Sequence, residues 1–483
     1  MMNTAVSLIS EQASNAANAR IREVFERQLP TALRLRSSTA VDRIAKIRKL
    51  KQALLDHMQD WYDAGFADYK KPPAEIDLAE ILPVVSEAND AVRHLKKWIK
   101  PHKVWPSRAL LGTKAWVQYQ PRGRCLVISP WNYPVNLTFG PLISAIAAGN
   151  TVMLKPSEMT PHLSALMAKV VAEVFPEDEV ALFEGDVAVA TALLDLPFDH
   201  IFFTGAPAIG RVVMAAAAKH LSSVTLELGG RSPTIVEPDA KLAEAAKNLM
   251  WSKFTNCGQT CIAPDHIYVH ESVKDEFLKQ CRAALEHGYG ADPATVQHNP
   301  DYGRIVNQRH TGRVKALLDD ANARGAKVLT GGTVDEQDSY IAPTLLENVP
   351  ADAKILKTEI FGPLLPIIPY TDLDEVIRRI NADPKPLALY VWGHDQSHID
   401  KVLKQTSSGG ACVNHSVVQF LHGNLPFGGV NNSGIGNGHG YYGFKAFSHE
   451  RGVVRNTWSM TALFAPPYTA RLRRLVRFVL KIV

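Results

Sequence analysis

CLVISPWNYPVNLTFGPLISAIAAGNTVMLKPSE, residues 125–158, decides the fold class. An apolar run, CLVIS (125–129), enters a Pro-Trp-Asn turn, a helical stretch follows near 137–148, and a second apolar run, TVMLK (151–155), closes the unit. Two short buried runs flanking a helix form the unit from which parallel sheets with crossovers are built. Downstream the rhythm continues with a helix near 162–175, VALFEG (180–185), HIFFTG (200–205), a helix near 207–220 and VTLELG (224–229). A second α/β stretch covers about 231–415, with helices near 240–253, 272–287, 305–322, 373–382 and 398–406 and strands near 265–270, 364–369, 386–392 and 411–414. Upstream, 38–60 reads as a helix that Ser37, Ser38 or Thr39 can cap, and another helical stretch spans about 77–100 and stops at Pro101. TKAWVQYQPRG (113–123) alternates and then turns, which suggests a hairpin. The glycine density of 422–440 predicts a loop without regular structure.

The 483-residue length allows two to four domains, and a composition 46% apolar and 21% charged is that of a globular chain rather than a disordered or collagen-like one. Lys and Arg number 53 against 48 Asp and Glu. Arg471, Arg473, Arg474, Arg477 and Lys481 lie in an acid-free tail and equal the whole excess, so the rest of the chain is balanced. That balance argues against a nucleic-acid partner. Five cysteines without a secretory signal, behind an N-terminus read as mature, predict free thiols and a cytoplasmic protein. No apolar run reaches the length of a membrane span. Within 468–483, Leu472, Leu475, Val476, Val479, Leu480 and Val483 fall on one helical stripe with the cations off it. Such a helix either lies in a membrane interface or packs on a subunit.

Open parallel sheets bind ligands beyond the carboxyl ends of their strands, so the strand ends carry the chemistry. FTGAPAIG (203–210) is either a phosphate-binding strand–helix turn at Gly205 or a turn that merely needs glycine. Lys155 and Glu158 could hold a ribose or form a solvated pair. Asn132 can donate to an oxyanion or make a local turn, and Glu227, inside an apolar strand, is a general base or a salt-bridged structural acid. Glu359 and Phe361, in EIFGP (359–363), suit a ribose and a flat ring, or belong to a loop. Cys261, in FTNCGQTCIA (254–263), is a nucleophile whose thiol the loop N–H groups would make more acidic, or a buried small hydrophobe. The C-x3-C spacing to Cys257 lacks a second ligand pair, so no metal is expected.

Together and in order, ISPWNYP, LKPSE, FTG, LELGG, GQTC, EIFGP and PFGG resemble the aldehyde dehydrogenase superfamily over nearly the whole chain. APDHIYV (263–269) and LPFGGVNNSGIG (425–436) are most similar to its class 3 branch, which includes fatty and coniferyl aldehyde dehydrogenases. The resemblance implies a Rossmann-type cofactor domain (1–112 and 124–228), a second α/β catalytic domain (229–420), bridging and oligomerisation strands (113–123 and 445–460) and the amphipathic basic helix. It implies oxidation of an aromatic or medium- to long-chain aldehyde to the acid, with NAD or NADP, by a homodimer. Cys261 would attack the aldehyde, Asn132 would hold the oxyanion and Glu227 would activate water. Ser129, Trp131, Lys155, Glu158, Gly205, Gly210, Glu359 and Phe361 would bind the cofactor, and Tyr133 and Phe427 would line the substrate tunnel. A CoA-acylating enzyme or a silent binding protein on the same fold are the alternatives. Cys257 would be able to form a disulfide with Cys261 under oxidants.

Overall fold

A computed structural model describes residues 2–106, 110, 112–458 and 465–481. The strand–helix–strand unit at 125–158 sits in the middle of a six-stranded sheet, where Arg124–Ile128 pairs in parallel with Thr151–Lys155 on one side and His200–Gly205 on the other. Val180–Leu182 and Ser223–Leu228 extend the sheet, again in parallel. These strands are apolar on both faces because helices cover both. Helices Pro134–Ala148 and Pro161–Val174 contribute Phe139, Leu142, Leu163 and Met167 to the core on one side. Val213 and Ala217 of helix Pro207–His220 pack into the other.

A seven-stranded sheet forms the second unit, in the order Lys327–Thr330, Thr344–Glu347, Leu364–Tyr370, His266–His270, Pro233–Val236, Ala388–Trp392 and Gly410–Val413. All neighbours are parallel except the first pair. The strands at 233–236, 327–330 and 344–347 have no counterpart in the sequence reading; each is four residues long, too short for a periodic signal.

Four expectations are corrected. Thr113–Pro121 makes no hairpin with the following strand: its partners are His102–Val104 and Ser448–Asn456, both antiparallel. At Gly123, whose φ is +137°, the chain leaves that ribbon for the six-stranded sheet. The glycine-rich loop contains a strand, Gly434–Ile435, antiparallel to Glu227 and Leu226. Glycine is what allows it, since a Cβ on Gly434 would stand 2.4 Å from the Leu226 carbonyl oxygen. The helix expected at 38–60 ends at Asp56, and a new one, Met58–Tyr69, starts after His57 leaves helical geometry. Of the three candidate caps Thr39 is the one used, in a reciprocal box with Asp42. The stretch expected as one helix near 77–100 opens with a wide turn over Ile76–Ile81 before Leu82–Trp98.

The C-terminal helix spans Ala470–Val479, capped by Thr469. Leu475, Phe478 and Leu480 are exposed on it, and Leu472 and Val476 are half-buried. Val483 lies outside the described residues. Among the described residues no helix is long and apolar enough to cross a membrane.

Candidate active site

The carboxyl ends of two strands of the six-stranded sheet converge with one loop of the seven-stranded unit. Strand Arg124–Ile128 runs into Ser129, Trp131, Asn132 and Tyr133; Ser223–Leu228 carries Glu227; the loop after helix Leu242–Phe254 carries Cys261. That loop is held open by an unusual backbone. Asn256, Cys257 and Gly258 have φ of +53°, +52° and +72° in succession. A Cβ at Gly258 would lie 2.4 Å from the carbonyl oxygen of Gly362, so the loop rests directly on the backbone after Phe361.

Cys261 and Glu227 line one cavity of about 770 Å³. Tyr133 and Phe427 are also in its wall, and the rest is mostly apolar, including Leu137, Met250, Ile262 and Phe420. Glu227 is buried, no cation among the described residues pairs with it, and neither carboxylate oxygen reaches full hydrogen-bond geometry, the backbone of Gly438 being the one group that acts to lower its pKa. Burial therefore pushes its pKa well above the carboxylate range, and the salt-bridged alternative does not hold. The Cys261 thiol is pushed up to about 12 by burial and by the nearby Glu359 and Glu227 carboxyls. Its own N–H and that of Ile262 act in the opposite direction and are outweighed, which corrects the expectation of a more acidic thiol.

Asn132 does not spend its amide on a local turn. Its Nδ2 donates to the Gln259 carbonyl at 2.9 Å, two residues before the cysteine. That bond fixes which end of the amide faces the loop and leaves the second N–H of the same nitrogen for a ligand. Tyr133 bonds through its hydroxyl to Thr260 Oγ1 at 2.6 Å, so the tunnel wall is tied to the same loop.

On the other side of the loop, Lys155 Nζ donates to Glu158 Oε2 at 3.1 Å, the lysine buried and the glutamate half-exposed. No side chain caps the start of helix Pro207–His220, just beyond Gly205. Gly210 is used for packing, since a Cβ there would meet Leu228 Cδ2 at 2.7 Å. The Ser129 hydroxyl is occupied by Thr138. Trp131 meets Phe361 edge-on, with ring centroids 5.4 Å apart, and lies tilted against His310 at 5.0 Å. His310 Nε2 is buried without a partner, and burial together with Arg313 holds that ring down to about 4. Glu359 is pushed up to about 8 by burial. Two carboxyls for ribose hydroxyls, an aromatic cluster with an unpaired ring nitrogen, and an uncapped helix start fit a dinucleotide.

Asn256 and Gln259, inside the loop segment already singled out, hold the loop from within. Asn256 Nδ2 donates to the carbonyls of Asn132 (2.9 Å) and Gln259 (3.2 Å), and Gln259 Nε2 donates back to Asn256 O at 2.9 Å. Glu75 accepts the Asn256 N–H at 3.0 Å, and burial raises its pKa to about 7. Nothing in the sequence around Glu75 distinguishes it from a helix-surface acid. Cys257 is buried in the core of the second unit and is absent from the cavity wall that Cys261 occupies.

Residues 3–453 match the model of the aldehyde dehydrogenase family. The chain is 40% identical to a Caulobacter vibrioides protein described as "Probable coniferyl aldehyde dehydrogenase", covering 98% of each chain. It is 39% identical to the rat "Aldehyde dehydrogenase, dimeric NADP-preferring", covering 89% of this chain and 94% of that one. A solved structure described as the substrate-bound state of Staphylococcus aureus AldH superposes with a TM-score of 0.90 at 37% identity, over 95% of this chain and 99% of the other.

Proposed function

The chain belongs to the aldehyde dehydrogenase family, and from that premise we propose which residues carry out its NAD(P)-dependent oxidation of an aldehyde and which aldehydes it takes. The observation that carries the reading is the shared cavity: a thiol and an unpartnered carboxyl face one apolar space. Cys261 reacts as the thiolate: its S–H proton leaves to bulk water, and Sγ adds to the aldehyde carbon and forms a thiohemiacetal. The free N–H of Asn132 and the backbone N–H of Cys261 receive the oxygen as it becomes negative. Loss of hydride leaves an acyl thioester on Cys261. Glu227 then takes a proton from water as it attacks the thioester, the carboxylic acid leaves and the thiol is restored. A base in the cavity directs the thioester to water rather than to coenzyme A.

Lys155 and Glu158 would hold the adenosine ribose, Gly205 would lie beside the pyrophosphate, and Trp131, Glu359 and Phe361 would frame the nicotinamide half. Bound there, NAD or NADP supplies the hydride acceptor. We assign the six-stranded unit to the cofactor and the seven-stranded unit to the catalytic loop.

The cavity suits an apolar aldehyde larger than a two- or three-carbon one: an aromatic such as coniferaldehyde, or a medium to long aliphatic chain. The test is kcat/KM for coniferaldehyde, benzaldehyde, hexanal and hexadecanal against acetaldehyde, each with NAD and NADP. Acetaldehyde as the best substrate would overturn the assignment. Among the described residues, strands Ser448–Asn456 and Gly410–Val413 each end a sheet with an unpaired edge, which supports a homodimer built by edge pairing. The exposed Leu475, Phe478 and Leu480 beside Arg473, Arg474 and Arg477 support contact of the tail helix with an anionic membrane surface.

A further inference from the structure

Lys71 and Glu80 form an ion pair, Nζ to Oε1 at 2.7 Å, with both side chains entirely buried. No step of the reaction uses either charge. Burying two ions is costly unless each is fully hydrogen-bonded, so their partners show what the pair is for.

Glu80 Oε2 accepts the backbone N–H groups of Val135 (3.1 Å) and Asn136 (3.0 Å). These belong to the first turn of helix Pro134–Ala148, whose own cap residue, Tyr133, makes no side-chain cap. Pro134 has no N–H, so Glu80 caps this helix from another element and places negative charge at its positive end. Lys71 Nζ has three donors. One goes to Glu80, one to the Tyr69 hydroxyl at 3.2 Å and one to the backbone carbonyl of Asn132 at 3.2 Å. The ammonium also stands 4.3 Å from the centre of the Tyr133 ring. Asn256 Nδ2 reaches the same Asn132 carbonyl. The two residues before the helix are therefore gripped from both sides: the Asn132 peptide by Lys71, the turn after it by Glu80.

We propose that Lys71 and Glu80 are positioning residues that hold the Asn132 peptide so that its side-chain amide faces the carbonyl oxygen at Cys261. The proposal rests on the reading of Asn132 as an oxyanion donor. The pair touches neither substrate nor cofactor. It sets the angle of the amide, and a donor displaced from the developing charge loses its stabilisation steeply.

The test uses full-length enzyme saturated with NAD and follows the first turnover of NADH by stopped flow. Loss of one oxyanion donor is worth about 10²–10³ in rate. Lys71→Met is expected to slow the first turnover by at least about tenfold. The rate of Cys261 alkylation by iodoacetamide and the Kd for NAD are expected to stay close to wild type. Asn132→Ala is expected to be slow, and Asn132→Ala/Lys71→Met no slower, because Lys71 acts through Asn132. If Lys71→Met does not fold, Lys71→Met/Glu80→Gln, which leaves no lone buried charge, and Tyr69→Phe carry the same comparison. A first turnover unchanged in the Lys71 variants while Asn132→Ala is slow overturns the positioning role. Losses that multiply in the double variant, or that fall equally on alkylation and NAD binding, also overturn it. An unaffected Asn132→Ala overturns the oxyanion reading, and this proposal with it.

Discussion

Replacing Glu227 by Gln separates the two halves of the reaction. The substitution keeps the shape of the side chain and removes the proton acceptor. No side-chain hydrogen bond to the carboxylate is lost, and the one backbone group acting on it, at Gly438, can equally face the Gln carbonyl oxygen. Acylation of Cys261 does not use Glu227, so mixing enzyme, NAD and aldehyde is expected to give a burst of about one NADH per site at the wild-type rate. Hydrolysis of the thioester does use it, and loss of a general base lowers the steady-state kcat by about 10²–10⁴-fold, or about 3–5 kcal/mol of barrier. In the wild type the acid limb of kcat lies above the ordinary carboxylate range, because burial raises the Glu227 pKa, and the variant lacks that limb. Stability follows the same shift. A carboxyl whose folded pKa exceeds its unfolded value of about 4.3 favours folding below that value, and the contribution is lost as pH rises through the folded pKa. The Tm of Glu227→Gln should thus gain on wild type as pH rises above the unfolded value of about 4.3. Loss of the burst together with turnover, or a kcat within about threefold of wild type, would refute the role.

Three further outcomes are expected. With its thiol at about 12, Cys261 of the free enzyme should be alkylated at pH 8 about 10³-fold more slowly than an ordinary cysteine; a titration midpoint near 9 would contradict the burial argument. Gly258→Ala should lower Tm and kcat/KM together, since a left-handed residue with a Cβ costs at least about 1–2 kcal/mol before the contact with Gly362. Gly288→Ala, with nothing within 4 Å, is the control and should leave Tm unlowered. Glu158→Ala should raise kcat/KM with NADP relative to NAD, because the carboxylate repels a 2′-phosphate; an unchanged ratio would remove Glu158 from the ribose site.

The parallel sheets were legible because their strands are covered on both faces and so read as unbroken apolar runs, and because the chemistry sits where those runs stop. Thr113–Pro121 was misread for a physical reason: Pro-Arg-Gly has the composition of a tight turn, yet one of its partners, Ser448–Asn456, lies at the far end of the chain. The strand at Gly434–Ile435 is invisible to any pattern of side chains, because backbone contact is what glycine makes room for. Cys261, Glu227 and Asn132 stood out because each is an odd residue for its local setting. Lys71, Glu75 and Glu80 did not, since Glu75 and Glu80 look like the solvent face of a helix and Lys71, in Tyr-Lys-Lys-Pro ahead of it, looks like part of an exposed charged turn. Only the fold shows that this face is covered by the start of helix Pro134–Ala148 and by the Asn256 turn.

The segment carrying Phe427 is fastened at three points: Phe427 to Gly438, Asn431 to Gly434, and Gly434 to Glu227 itself. Its turns are so close that a Cβ at Gly428 would stand 2.2 Å from the Gly436 carbonyl. Wall and base form one mechanical part. Lengthening this segment by a residue would shift the backbone against which Glu227 is registered, whereas changing the side chain at 427 would not. Substrate range in this enzyme can therefore drift by exchanging side chains along a fixed wall, and redesign of the tunnel should proceed by substitution and leave the length of 422–440 alone.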